Sequence, residues 1–258
     1  MDKISQYKYP QFWAGCYAQY CASVDQRRGT LLLTDHSGRQ NSGRLTNIPN
    51  PANSWSTSGG RVALQFNGSS QYVDLIRANF LKLFPLSSYT ISIWFTATFG
   101  RNNGLFGGLD SGSRLAVWLD SSNTIYFDTL SSTVGTERLP VSGLTWTDGK
   151  LYNVVASSGG GTGMRLYRDG VQVGSNSGNP VITTPTIPFA LGSVRPGTFD
   201  LLGSILSCGL YGRTFTNSEV QLLYNVGPDA VLATKRQLRG RVATVPATRS
   251  RNYLVGAY

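Results

Sequence analysis

Carboxylates are the first side chains to weigh, because a pair of them flanking one bond is what hydrolysis of a glycosidic linkage requires. The 258-residue chain has only two glutamates, Glu137 and Glu219. Glu219 stands three residues after Thr216, the spacing of a capping box, which assigns it to the start of a helix. Asp120 and Asp128 are the pair that a hairpin could bring together, although turn and strand-end duty accounts for both equally well. His36 is the sole histidine, so any Ser-His-Asp arrangement must use it. Its neighbour Asp35 lies in a turn, and both read as turn residues. The cysteines Cys16, Cys21 and Cys208 are odd in number and lack CxxC spacing, which argues against a disulfide framework and against a zinc knuckle. The glycine-rich stretch at 159–163 lacks the Lys-Ser/Thr of a phosphate-binding loop and reads as a hairpin connection. No catalytic residue, metal site or cofactor is expected.

Two other groups of residues have binding chemistry. Trp94, Trp118 and Tyr126 fall at positions that alternation places on one sheet face, opposite Ile93, Leu119 and Phe127. Such a row is either an aromatic platform for sugar rings or part of the core, the usual fate of large aromatics. Trp13, Trp55 and Trp146 have less claim on a ligand, and Trp146 is expected to be buried. At the C-terminal end, the residues from Thr234 onward include Lys235, Arg236, Arg239, Arg241, Arg249 and Arg251 and no acidic residue. The whole chain carries +10, so most of its excess charge sits in this tail. The tail ends on apolar residues, among them Leu254 and Tyr258. Arginines followed by an apolar terminus fit docking on the acidic surface of a neighbouring subunit better than contact with nucleic acid.

The elements that must position these residues are strands. Charged residues make up only 14% of the chain, well below the roughly one quarter usual in globular domains. Small polar and β-branched residues are abundant, as many short strands joined by tight turns demand. Residues 89–98 (YTISIWFTAT), 114–120 (RLAVWLD), 124–130 (TIYFDTL) and 151–157 (LYNVVAS) all alternate with a period of two. Asp169-Gly170, between two alternating runs, is a tight-hairpin signal. The only convincing helix is 216–225, with Val220, Leu223 and Tyr224 as its apolar stripe and Gly227-Pro228 as its stop. Strands at regular spacing with no helices between them define an all-β, antiparallel jelly-roll β-sandwich, with one short C-terminal helix and an extended C-terminal arm. Residues 1–29 read as an N-terminal lead-in, 30–227 as the sandwich and 228–258 as the basic arm. The first residues lack the apolar core of a signal peptide, and no run is apolar enough to span a bilayer.

Several stretches resemble the laminin-G-like domain of the concanavalin A-like lectin/glucanase superfamily. Residues 34–47 (TDHSGRQNSGRLTN) are similar to the family's opening turn and strand. Residues 62–75 (VALQFNGSSQYVDL) resemble its strand, Phe-Asn-Gly turn and Tyr-Val segment. Residues 89–95 match its Tyr-Thr-Ile-Ser-x-Trp-Phe strand, 146–157 with 166–174 its Tyr-x-Asp-Gly hairpin, and 203–225 its closing strand and helix. The resemblance covers residues 15–225 in order and implies two packed antiparallel sheets, with glycan or calcium binding in some members. Leu206 stands where the family's closing strand carries an Asp that helps hold calcium, so that site is expected to be lost. The Glu-x-Asp-x-Glu run of the superfamily's glucanases has no counterpart here.

The lead-in, the Leu-Leu-Tyr-Asn-x-Gly-Pro helix exit and the basic arm also resemble laminin-G-like proteins of tailed bacteriophages. That resemblance implies a non-enzymatic virion structural protein, a capsid decoration or fibre-associated subunit, made in the host cytoplasm. Its partners would be copies of itself and capsid proteins. The alternative is a carbohydrate-binding module for cell-surface or mucus glycans.

Overall fold

A computed structural model describes residues 9–25, 31–49, 54–58, 60–75, 82–109, 114–131, 135–182 and 189–229. The arm residues Arg236, Arg239, Arg241, Arg249, Arg251, Leu254 and Tyr258 lie outside the described residues.

The chain is a sandwich of two antiparallel sheets. Its strands are β1 (Cys16–Cys21), β2 (Leu32–Leu33), β3 (Gly43–Thr46), β4 (Trp55–Ser58), β5 (Arg61–Asn67), β6 (Tyr72–Asp74), β7 (Ser88–Ala97), β8 (Asn103–Leu109) and β9 (Arg114–Leu119). They continue with β10 (Ile125–Ser131), β11 (Gly135–Val141), β12 (Tyr152–Gly159), β13 (Met164–Arg168), β14 (Val171–Asn176), β15 (Ala190–Leu191), β16 (Ser193–Arg195), β17 (Phe199–Asp200) and β18 (Leu202–Tyr211). The first sheet runs β14-β13-β12-β7-β18-β5-β4, with β1 pairing β18 beyond the end of β5. The second runs β11-β10-β9-β8-β15-β6-β3-β2, and β16–β17 form a separate small hairpin.

Alternation sets what fills the space between the sheets. Ile91, Ile93 and Phe95 of β7 face inward with Val154 and Ala156 of β12; from the other sheet come Leu115, Val117, Leu119, Ile125 and Phe127. All ten are fully buried, each contributing about 1.5–3 kcal/mol if as large as Leu or Phe. At Asp169-Gly170 both residues have positive φ, 52° and 81°, the conformation a two-residue hairpin needs to match the twist of its strands.

Among the described residues there are two helices of the α type, α1 (Ala22–Asp25), a single turn, and α2 (Asn217–Val226). The capping box is formed: the Thr216 side chain accepts from the Glu219 N–H at 3.2 Å, and Glu219 Oε2 accepts from the Thr216 N–H at 2.9 Å. The Gly227 N–H then closes α2 on the carbonyls of Leu223 and Tyr224.

The lead-in boundary needs correction. A 3-10 turn (Pro10–Trp13) buries Phe12 and Trp13 on the outward side of the first sheet, and β1 is a strand of that sheet. The sandwich therefore begins well before residue 30. Phe12, Trp13 and α2 together cover outward positions that alternation alone would leave wet. The polar groups beneath are hydrogen-bonded to each other, as burial requires. The Gln19 amide donates to Ser207 Oγ at 3.2 Å and accepts from the Tyr211 hydroxyl at 3.0 Å.

Candidate binding face

The outward side of the second sheet is where side chains with binding chemistry gather. In β9, Leu115, Val117 and Leu119 point to the core, so Arg114, Ala116 and Trp118 point out. The register sets Trp118 opposite Tyr126, and Tyr126 opposite Pro140; the next outward row is Ala116, Asp128 and Arg138. One row further, Arg114 faces Leu130. Neighbouring rows on one face are about 7 Å apart.

Trp118 and Tyr126 stack with centroids 4.3 Å apart and planes at 12°, and Phe199 of β17 sets its ring at 88° to Trp118, 5.0 Å away. Val194 of β16 joins this apolar group. The hairpin is seated over β8 because Gly104 has no side chain: a Cβ there would lie 2.3 Å from the Phe199 carbonyl oxygen. Trp118, 7% exposed, is thus roofed by the hairpin. Tyr126 is half-buried, and Arg138 and Pro140 are exposed.

Asp128 is fully buried beneath this row. Its carboxylate accepts two bonds from Arg138, at 2.5 and 2.8 Å, and one from Trp118 Nε1 at 3.1 Å. That paired geometry is what lets an ionised carboxylate lie out of water. The hydrogen bond to Asp128 raises the Arg138 pKa above its ordinary value. The Arg138 guanidinium also lies 5.3 Å from the centre of the Tyr126 ring. Asp120 Oδ1 accepts from the N–H groups of Ser122 and Thr124 at 2.8 and 2.9 Å, organising the β9–β10 turn. Its Oδ2 accepts from the Tyr126 hydroxyl at 3.0 Å. Burial, then this bond and the charge of Asp120, raise the Tyr126 pKa.

The expectation that Trp94 shares a face with Trp118 and Tyr126 is corrected. Trp94 belongs to β7 in the first sheet and points out of the opposite side of the sandwich. Alternation tells which residues share a side of a strand and not which sheet the strand joins. Trp94 is 6% exposed, packed on Ala63 and Leu206 and stacked on Tyr224 of α2 at 5.7 Å and 4°. Trp13 is buried and Trp55 half-buried; Trp146, expected to be buried, is half-buried too. Trp146 is held between loops, stacked on Phe99 at 5.3 Å with the Arg168 guanidinium 5.1 Å from its centre.

The remaining candidates are placed as follows. A register shift between Ile205 and Ser207 turns Leu206 outward into the apolar group with Trp94. Asp35 spends both oxygens on its own turn and on β1, accepting from the N–H groups of Ser37 and Asn41, the Ser37 hydroxyl and the Gln19 N–H. His36 meets Asp25 rather than Asp35, with Nε2 3.6 Å from Asp25 Oδ1. Cys16, Cys21 and Cys208 are free thiols, all buried. Among the described residues, no three His, Cys, Asp or Glu side chains cluster as metal ligands would, and no helix is long and apolar enough to cross a membrane.

Sequence reasoning passed over Arg138, Arg114 and Phe199. Alternation over residues 135–141 places Arg138 outward, but its pairing with Asp128 needs the β10–β11 register. Nothing in the sequence signalled that Phe199 would close over Trp118.

Two antiparallel sheets with an inward apolar filling and an outward aromatic and charged face define a lectin-like β-sandwich. The chain belongs to the concanavalin A-like lectin/glucanases superfamily: a laminin G family model of that superfamily matches residues 67–221. No curated protein matches the chain. Among solved structures, domain 4 of AbnA, a GH43 extracellular arabinanase from Geobacillus stearothermophilus in complex with arabinotriose, is similar at a TM-score of 0.60 and 20% identity; the likeness covers 81% of this chain and 97% of that one. The binding domain of Paraclostridial Mosquitocidal Protein 1 has a TM-score of 0.60 at 14% identity, with 82% and 52% covered. A sialidase from Trypanosoma rangeli has a TM-score of 0.55 at 19% identity, with 82% and 32% covered. The chain therefore spans about half of the toxin domain and a third of the sialidase, and at these identities the likeness is one of fold.

Proposed function

We propose that this chain is a non-catalytic, lectin-like module that recognises glycans through the outward face of its second sheet. The observation that carries this reading is the open side of that face, where half-buried Tyr126 and exposed Arg138 and Pro140 adjoin the stacked Trp118. An aromatic edge beside fixed hydrogen-bonding groups suits a sugar ring. The arabinanase domain, whose structure holds arabinotriose, has the same sandwich. The absence of catalysis is supported by the state of the carboxylates. Asp120 and Asp128 are committed to turn N–H groups, Tyr126, Trp118 and Arg138, which leaves them poorly placed to protonate a leaving group or attack a sugar.

The setting we infer is a virus particle, with the protein made in the host cytoplasm and carried as a capsid decoration or fibre-associated subunit. The support is the phage-like layout of the sequence and its basic, apolar-ended arm, suited to docking on copies of itself and on capsid proteins.

A glycan array probed with the full-length protein tests the first part. Hits are expected, weakened at least tenfold by Tyr126→Ala; an array without hits overturns the lectin reading. Light scattering on the full-length protein beside a version ending at Pro228 tests the second. An oligomer or particle attachment that depends on the arm supports it, and unchanged assembly after truncation refutes it.

A further inference from the structure

Among its described residues, the outward face of the second sheet has an unpaired cation. Arg114 lies on its outward side, and its Nε is buried without a hydrogen-bond partner. No ion pair is made by Arg114 among the described residues, although Asp128 is only one row away. Asp128 is already paired, with Arg138 bonded to both of its oxygens and Trp118 to one. Asp120 is three rows off, beyond Tyr126, and is committed to its turn and to the Tyr126 hydroxyl. Among the described residues of this face the Asp128–Arg138 pair is neutral, and Arg114 leaves a surplus positive charge. A half-buried guanidinium held on a rigid strand beside apolar neighbours, with no partner among the described residues, is disposed to bind a planar or tetrahedral oxyanion at its solvent side.

We propose that the glycan recognised by this face is anionic, with its carboxylate or sulfate held by Arg114 and its ring lying toward Tyr126. The two positions are two rows apart, about 14 Å from strand spacing, the span of two to three sugar units rather than one. The inference rests on the glycan reading above and names the substrate class for that site.

The test uses the full-length protein in titrations with three acidic probes: sialyllactose, a trigalacturonate and a sulfated disaccharide. Each is paired with its neutral counterpart. At least one acidic probe is expected to bind tenfold or more tightly than its neutral partner, with affinity falling as salt rises. Arg114→Gln should bring that probe down to the level of the neutral one, while Arg114→Lys, which keeps the charge and loses the fork, should retain part of the preference. Thermal unfolding of both variants shows that they are folded. If neutral probes bind as well as acidic ones and Tyr126→Ala weakens both, the anionic inference fails and the glycan reading stands. If no probe binds, acidic or neutral, both fail.

Discussion

Arg213 ties the N-terminal segment to the C-terminal helix, and its removal is the most direct test of how the outward side of the first sheet is closed. Its guanidinium donates to the carbonyls of Gln11 and Ala14 at 2.9 and 3.0 Å, and to that of Thr214 at 3.3 Å. It also grips Glu219 at 2.8 and 3.1 Å and lies 4.4 Å from the centre of the Phe215 ring. Hydrogen bonds to charged groups contribute about 1.5–3 kcal/mol each. Water replaces part of them here, since the two side chains are 27% and 22% exposed. Arg213→Ala should therefore cost about 2–4 kcal/mol, less than the sum of its bonds, or roughly 5–15 °C in Tm for a chain of this size. Circular dichroism melts of the full-length protein measure this, and amide exchange should show residues 10–14 losing protection first. A Tm within about 2 °C of the parent would refute the idea that this residue holds the segment. The pH dependence gives a second check. Burial raises the Glu219 pKa, but bonds from Arg213 and the Thr216 N–H outweigh it and leave the carboxyl below its ordinary value. A depressed folded pKa stabilises the protein above the ordinary carboxylate value, and that stability is lost as pH falls through the folded one. Glu219→Gln should flatten this acid limb of the stability curve.

Gly104→Ala places a methyl group against the Phe199 carbonyl and the Val194 N–H. It should cost about 1–3 kcal/mol and lift the β16–β17 hairpin, seen as a red shift in tryptophan emission as Trp118 meets water. Trp94→Ala should cost about 3–5 kcal/mol, read from urea unfolding, and leave glycan affinity per folded molecule unchanged; a lost affinity would return Trp94 to the binding site. Burial pushes the thiols of Cys16 and Cys21 up to about 12 and that of Cys208 higher still. At pH 8 a chromogenic disulfide should therefore leave all three unlabelled until the protein unfolds, and stoichiometric labelling of the native protein within minutes would contradict this.

What the sequence disclosed and what it hid divide along one physical line. Local rules succeeded where a feature depends on neighbours in the chain. The alternation of residues 89–98 predicts β7, Asp169-Gly170 the hairpin, and Thr216 with Glu219 the start of α2, because each is settled by backbone sterics or a bond within a few residues. Features that join distant segments were not legible. Nothing near Cys16 announces that it will pair with Tyr211, so the lead-in read as a separate arm. The same limit governed the aromatics. Alternation set Trp94 opposite Ile93 and Trp118 opposite Leu119 but left open which side was core, and on the outward side, where both lie, outward is not the same as exposed. Outside the first sheet lie α2 and Phe12, and Trp94 ends under Tyr224. Outside the second sheet, the small hairpin covers β8 and Ala116 and Trp118 of β9 but leaves Tyr126 half-buried. Which sheet a strand joins, and what then lies across it, decides whether an aromatic holds the fold together or remains at the surface. In this chain that choice separates Trp94, committed to stability, from Tyr126, which stays within reach of a ligand.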